Sequence, residues 1–168
     1  LKDTIRQQID FGSTDQAQGV PPPPVEKEPE RSATRIQLVR PAEFRHVGSI
    51  SVTDAIRNRK SRRRFEDLPL TLEELSFLLW ATQGLRETSG PPVLRTVPSA
   101  GARHAFETYL YAGRVANVEE GIYRYLPIEH ELVLTISGKG LAAGITDGCL
   151  GQAFAGRAAA VFVWTAIP

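Results

Sequence analysis

Apolar residues return at helical spacing over positions 72–79, where Leu72, Leu75, Leu78 and Leu79 share one face. Thr71 followed three residues later by Glu74 is a start signal, and Gly84 is a stop. Leu75, Leu78 and Leu79 are therefore expected in the core, with Phe77 and Trp80 on the flank. Upstream, Ser51-x-x-Asp54 opens a shorter helix that Ala55, Ile56 and Arg59 continue. Strand-like runs follow at 106–111, 121–126 and 131–136, the last two joined by a hairpin turn at 127–130. A short edge strand is expected at 36–41, ended by Pro41. Positions 141–155 are helical in character but broken by Gly144, Gly148 and Gly151, which predicts two short helices or one kinked helix. The run 158–165 is apolar throughout and predicts a fully buried strand.

The element order predicts an α+β sandwich. A buried last strand asks for neighbours on both edges, so the domain is expected to continue past Pro168. Loops are expected at 89–92, a Gly/Pro breaker, and at 95–104. Before position 35 the pattern changes. Gly19-Val20-Pro21-Pro22-Pro23-Pro24 and the charged 26–30 stretch have little to bury and favour polyproline II. Residues 1–48 are thus expected to be an arm or linker, more a loose tail than a wrapping element, with Ile5, Ile9 and Phe11 as a candidate docking helix. Residues 49–168 form the domain.

Length and composition add bounds. At 168 residues the chain has the size of one domain. A net charge of +1 argues against a dedicated nucleic-acid binder, which would carry a basic excess overall. The single cysteine, Cys149, excludes an internal disulfide framework, and His46, His104 and His130 fit no metal-ligand spacing, so no metal is expected. No apolar run approaches the roughly 20 residues of a spanning helix. No membrane association and a cytoplasmic location are the expectations.

Charge is nevertheless concentrated at one place. Six of the nine side chains over 57–65 are cationic, and the predicted helix places them near its C-terminal end, where the macrodipole favours cations. Like charges this close repel. A solvated basic face or a nucleic-acid patch would explain the charge alone. The spacing Arg59-x-Ser61-x-Arg63-x-Phe65 suggests more: guanidinium forks plus a hydroxyl make a compact site for one phosphate, with planar donors left for a neighbouring heteroaromatic ring.

Arg59-Lys60-Ser61-Arg62-Arg63-Arg64-Phe65, Leu70-Thr71-Leu72-Glu73-Glu74-Leu75 and Arg95-Thr96-Val97-Pro98-Ser99-Ala100-Gly101-Ala102 together resemble the FMN-dependent nitroreductase superfamily. The Pro-Ser-Ala-Gly form, the Gly121-Ile122-Tyr123-Arg124-Tyr125 strand and the long N-terminal lead look most like its SagB-type dehydrogenase branch. The resemblance runs from about Ser49 to Pro168. It implies a nitroreductase-like α/β sandwich with a central, mostly antiparallel sheet. It also implies a homodimeric flavoprotein with FMN sites at the subunit interface, and an oxidoreductase activity carried by the flavin, with no catalytic side chain. Arg59, Lys60, Ser61 and Arg63 match cofactor-holding positions, Arg59 and Ser61 toward the phosphate and ribityl region and Arg63 toward the N1/O2 edge of the ring. Pro98, Ser99, Ala100 and Gly101 match the loop that reaches the flavin from the other subunit. The electron donor would be NADPH, NADH or the substrate itself; the other partner would be a nitro compound, quinone, azoline or oxygen. Ala102 departs from the Asn of many nitroreductases, so one polar flavin contact is absent.

Other residues have plainer readings. His104 beside the loop is a candidate proton donor, yet a turn histidine bonded to backbone is the simpler role. Cys149 reads as a buried structural thiol. Tyr123 and Tyr125 share one strand face and read as packing, with one able to line a substrate pocket. Trp80 and Trp164 read as core or interface, and Arg62 and Arg64 as solvent or dimer contacts. The competing functional classes are a non-catalytic basic-helix interaction module and a flavin-less pseudo-enzyme.

Overall fold

The computed structural model describes residues 10–21, 24–87 and 93–166. Its centre is a five-stranded sheet, antiparallel throughout, built from β1 (Arg35–Gln37), β4 (Phe106–Ala112), β5 (Gly121–Leu126), β6 (Glu131–Ser137) and β7 (Ala160–Ala166). Their order is β1-β6-β5-β4-β7. Between β1 and β4 lie α1 (Val52–Asn58), α2 (Leu72–Gln83) and a small ribbon of β2 (Leu85–Glu87) with β3 (Leu94–Arg95). α3 (Leu141–Gly148) and α4 (Ala153–Gly156) precede β7. The α+β class and the antiparallel sheet are as the sequence predicts.

Alternation sorts the sheet residues onto two faces. On one face Leu110 stands opposite Tyr123 and Phe162, and Tyr125 opposite Leu132. α2 packs there: Leu75 and Leu79 are fully buried against Leu38, Leu110, Ala112, Val115, Tyr123, Tyr125 and Leu132. Each of these two leucines contributes roughly 1.5–3 kcal/mol by leaving water. The helix starts where the sequence says, because the Thr71 hydroxyl accepts from the Glu74 N–H (3.2 Å) and the Glu74 carboxylate accepts from the Thr71 N–H (2.8 Å). It stops at Gly84, where a Cβ would lie 2.4 Å from the Trp80 ring. Leu78, expected in the core, is 39 % exposed. The buried stripe runs instead through Ser76 and Gln83. Ser76 is tolerated because its hydroxyl donates to the Leu72 carbonyl (2.6 Å) and accepts from the Val39 N–H (3.0 Å).

The opposite face carries polar residues. Tyr109, Arg124 and Val133 stand in one cross-strand row. The Arg124 guanidinium lies 3.2 Å from the Glu107 carboxylate, both side chains about nine-tenths buried.

Three expectations are corrected. β7 is not fully buried: it pairs with β4 on one side only among the described residues, and Val163 and Trp164 are about half exposed. The N-terminal segment is not a loose tail. Val20, Val25 and Lys27 dock on the domain through hydrogen bonds of their backbone groups to Arg103, Arg95 and Glu107, and β1 and Leu38 belong to the sheet and core. Ile5 and Ile9 of the candidate docking helix fall outside the described residues, as do positions 89–92. Phe11 sits exposed on a 3-10 turn. Finally, of the basic run only Arg57 and Asn58 lie in the helix. α1 ends at Asn58, and Arg59 has extended dihedrals (φ −61°, ψ 125°). Cations this close repel one another, and α1 buries no residue that would hold another turn in place.

Candidate functional site

The basic segment, 59–65, follows α1 without regular structure, and all of it is exposed. Among the described residues no carboxylate lies within 4.0 Å of Arg59, Lys60, Arg62, Arg63 or Arg64. Two contacts hold the segment. The Arg63 guanidinium lies 5.8 Å from the centre of the Phe154 ring on α4, a cation–π distance. Just downstream, Arg114 donates to the Glu66 carbonyl (3.0 Å) and the Arg157 carbonyl (3.3 Å), and its Nε is 3.3 Å from the Asp67 carboxylate. Leu70 then bridges to Val115. Neither Arg114 nor Phe154 is marked by any local signal in the sequence.

The 95–104 loop is built differently. Arg95, buried, donates to the Gln83 side-chain carbonyl (3.0 Å), to the Phe106 carbonyl (3.1 Å) and to the Val25 carbonyl. Burial pushes its guanidinium below the ordinary arginine range, against the raising influence of Tyr125, Glu26 and Glu107. Thr96 anchors the loop to the end of α2 through its N–H to Gly84 O (2.9 Å) and its hydroxyl to Trp80 O (2.8 Å). Ser99 then folds the turn: its hydroxyl accepts from the His104 N–H (2.9 Å) and its carbonyl from the Ala102 N–H (3.1 Å). Among the described residues the N–H groups of Ser99, Ala100 and Gly101 donate to no acceptor. Gly101 has φ 61°, which favours glycine. A cavity of about 290 Å³ opens beside the loop, lined by Arg86, Arg95, Pro98, Ser99, Ala102 and His104. Burial, and then Arg95, hold the His104 imidazole below its ordinary range. Its ring sits in the cavity wall while its own N–H closes the turn.

The two groups of predicted site residues are not brought together within one chain. The loop leads into the first residue of β4, whereas the basic segment is held by Arg114, two residues past the end of the strand. The seven residues between span about 20 Å.

A wider cavity of about 640 Å³ lies elsewhere, between Arg40, Trp80, Arg86, Tyr125, Ile128 and His130. Tyr125 therefore does line a cavity, while Tyr123 is core. The His130 Nε2 sits 2.9 Å from the Val39 carbonyl, which can only accept, so this nitrogen carries the proton. Nδ1 then accepts from the Tyr125 hydroxyl at 2.8 Å. Burial pushes the imidazole below its ordinary range, outweighing the Val39 bond, and burial pushes the Tyr125 phenol up. A depressed histidine contributes stability that is complete above the unfolded value and declines as pH falls below about 6.5. Urea unfolding between about pH 5.5 and 7.5 is expected to show this loss, and His130→Gln to flatten the profile. An unchanged slope in the variant would assign the effect elsewhere, His104 being the next group with the same sign. Cys149 is half-buried at the end of α3, rather than fully buried.

Comparison with known proteins places this arrangement among relatives. The family model described as the nitroreductase family matches residues 56–168. A protein of Methanocaldococcus jannaschii named "Putative nitroreductase" is 40% identical over 87 residues, covering 52% of this chain and 42% of its own length. The crystal structure of a protein of the same designation from Anabaena variabilis superposes with a TM-score of 0.53 at 25% identity, covering 67% of this chain and 23% of that one. Another, from Ralstonia eutropha, gives a TM-score of 0.47 at 33% identity, covering 68% and 51%. The chain thus spans less than half the length of the archaeal relative. No helix among the described residues is long and apolar enough to cross a membrane.

Proposed function

The chain belongs to the nitroreductase family, and from that premise we propose that it is part of an FMN-dependent oxidoreductase of the SagB-type dehydrogenase branch. The observation that carries the reading is the basic segment: among the described residues Arg59 and Arg63, with Ser61 between them, face no carboxylate, so their charge is available to a ligand. The donor set fits FMN. Guanidinium forks and a hydroxyl suit a phosphate and a polyol, and the uncommitted N–H groups of Ser99, Ala100 and Gly101 suit a polar ring edge.

FMN, when bound, supplies hydride transfer to or from a nitro, quinone or azoline type of substrate, with NADPH, NADH or the substrate as donor. The protein's part is to hold and tune. Arg59 and Ser61, with Lys60 adding charge, bind the phosphate and ribityl end. Arg63 places a cation by the ring edge where reduction builds negative charge, held from behind by Phe154. Pro98 stiffens the loop entry.

The same geometry supports a homodimer: about 20 Å of β4 separates the two groups, and a second copy would bring its 98–101 loop to the first copy's basic segment. α1 offers an apolar contact for it, with Val52 and Ile56 both more than 70 % exposed.

The test is a visible absorption spectrum of the protein purified from cells, with release and identification of the chromophore. The expected result is a yellow protein with about one FMN per chain. A colourless protein that also fails to take up added FMN would sink the reading. The exposed cations would then favour the alternative, a non-catalytic module for an acidic partner, which steeply salt-dependent binding would reveal.

A further inference from the structure

We propose that the described residues of 16–27 are an intramolecular strap that fixes the 98–104 loop, with Arg95 and Arg103 as its positioning residues and Gly101 as its seat. Six contacts hold it. Arg103 donates to the carbonyls of Val20 (2.7 Å) and Pro21 (3.3 Å), one from each terminal nitrogen. Buried Arg95 donates to the Val25 carbonyl. The Glu26 carboxylate accepts from the Ile128 N–H (3.0 Å), and Glu107 accepts from the Lys27 N–H (3.3 Å). The Gln16 side-chain amide lies so close to Gly101 that a Cβ there would sit 2.0 Å from its oxygen.

The chemistry suits a proline-rich segment. Prolines have no N–H, so such a segment cannot join a sheet ladder, but its carbonyls remain strong acceptors. Two guanidinium groups on the loop and its stem meet them. A polyproline segment also loses little entropy on docking, because it is stiff beforehand. The same Arg95 joins the end of α2, the start of β4 and the strap, so releasing the strap strips an acceptor from a buried cation directly below Thr96 and Pro98. The strap thereby couples the N-terminal segment to the loop conformation, and anything that draws the segment away loosens the loop. Only the consequence for the cofactor rests on the function proposed above; the coupling is measured without flavin.

The experiment is amide exchange followed by mass spectrometry on the flavin-free full chain, comparing the parent with Arg103→Ala combined with Gln16→Ala. Both changes lie at the surface of the loop and arm, so circular dichroism and melting should match the parent. Exchange is expected to rise about tenfold in peptides covering 16–21 and also in those covering 98–105, with β5 and β6 unchanged. Arg103→Lys, which keeps a donor for a strap carbonyl, should return both segments toward parental rates. Faster exchange in the arm alone, with the loop unmoved, overturns the strap, and so does no change in either.

Discussion

Replacing Arg59 and Arg63 together by Gln should weaken FMN uptake by two to four orders of magnitude and leave the fold intact. Each guanidinium that meets a charged or polar ligand group contributes about 1.5–3 kcal/mol, and two such losses give roughly that range of affinity. Among the described residues neither side chain has a carboxylate partner, and both are exposed. Unfolding free energy should therefore move by less than about 1 kcal/mol, the lost cation–π contact of Arg63 with Phe154 being offset in part by relieved repulsion. The single variants separate the roles. Arg59→Gln should weaken FMN strongly and riboflavin little, since riboflavin lacks the phosphate. Arg63→Gln should weaken both, because the role proposed for it is at the ring. Fluorescence titration of the apoprotein with each flavin reads all of this. Equal FMN affinity in the double variant and the parent would remove the basic segment from the cofactor site.

The parts legible in the sequence are those whose cause is local. Thr71, Glu74 and Gly84 bound α2 because a capping box and a stop act within a turn. The strands β4, β5 and β6 announce themselves by alternation, and the four-residue turn between the last two by its length. The illegible parts have distant causes. Arg59 to Arg64 reads as the end of a helix, yet the groups that hold the segment are Arg114 and Phe154, some 50 and 90 residues away. The arm reads as unstructured by composition, and the groups that hold it are Arg95, Arg103 and Glu107, with separations of 70, 83 and 80 residues. β7 reads as buried because both of its faces are apolar; exposure of Val163 and Trp164 depends on its neighbours, which no pattern within the strand encodes. For the site, residue types and spacing named two groups, but only the length of β4 between them shows that one chain does not unite them.

The second large effect belongs to the polar face of the sheet, where removing the Glu107 carboxylate as Glu107→Ala is expected to cost about 3–5 kcal/mol. Glu107 accepts from Arg124 (3.2 Å), from the Lys27 N–H (3.3 Å) and from the Tyr109 hydroxyl (3.3 Å). Arg124 makes no other side-chain ion pair among the described residues, so its buried guanidinium would lose its one paired carboxylate, with only the more distant Glu26 still acting on it. The cost comes from that stranded charge more than from the attraction lost, which the double variant tests. Glu107→Ala with Arg124→Met removes both charges and refills the arginine's volume, and it should be less damaging than the single change, although it also loses the Lys27 contact. Glu107→Gln should fall between, since an amide oxygen still accepts from Arg124 without neutralising it. Urea denaturation of the four proteins measures the order. If the single variant cost less than about 1 kcal/mol, water would have to reach Arg124, and the arm would not be sealing this face.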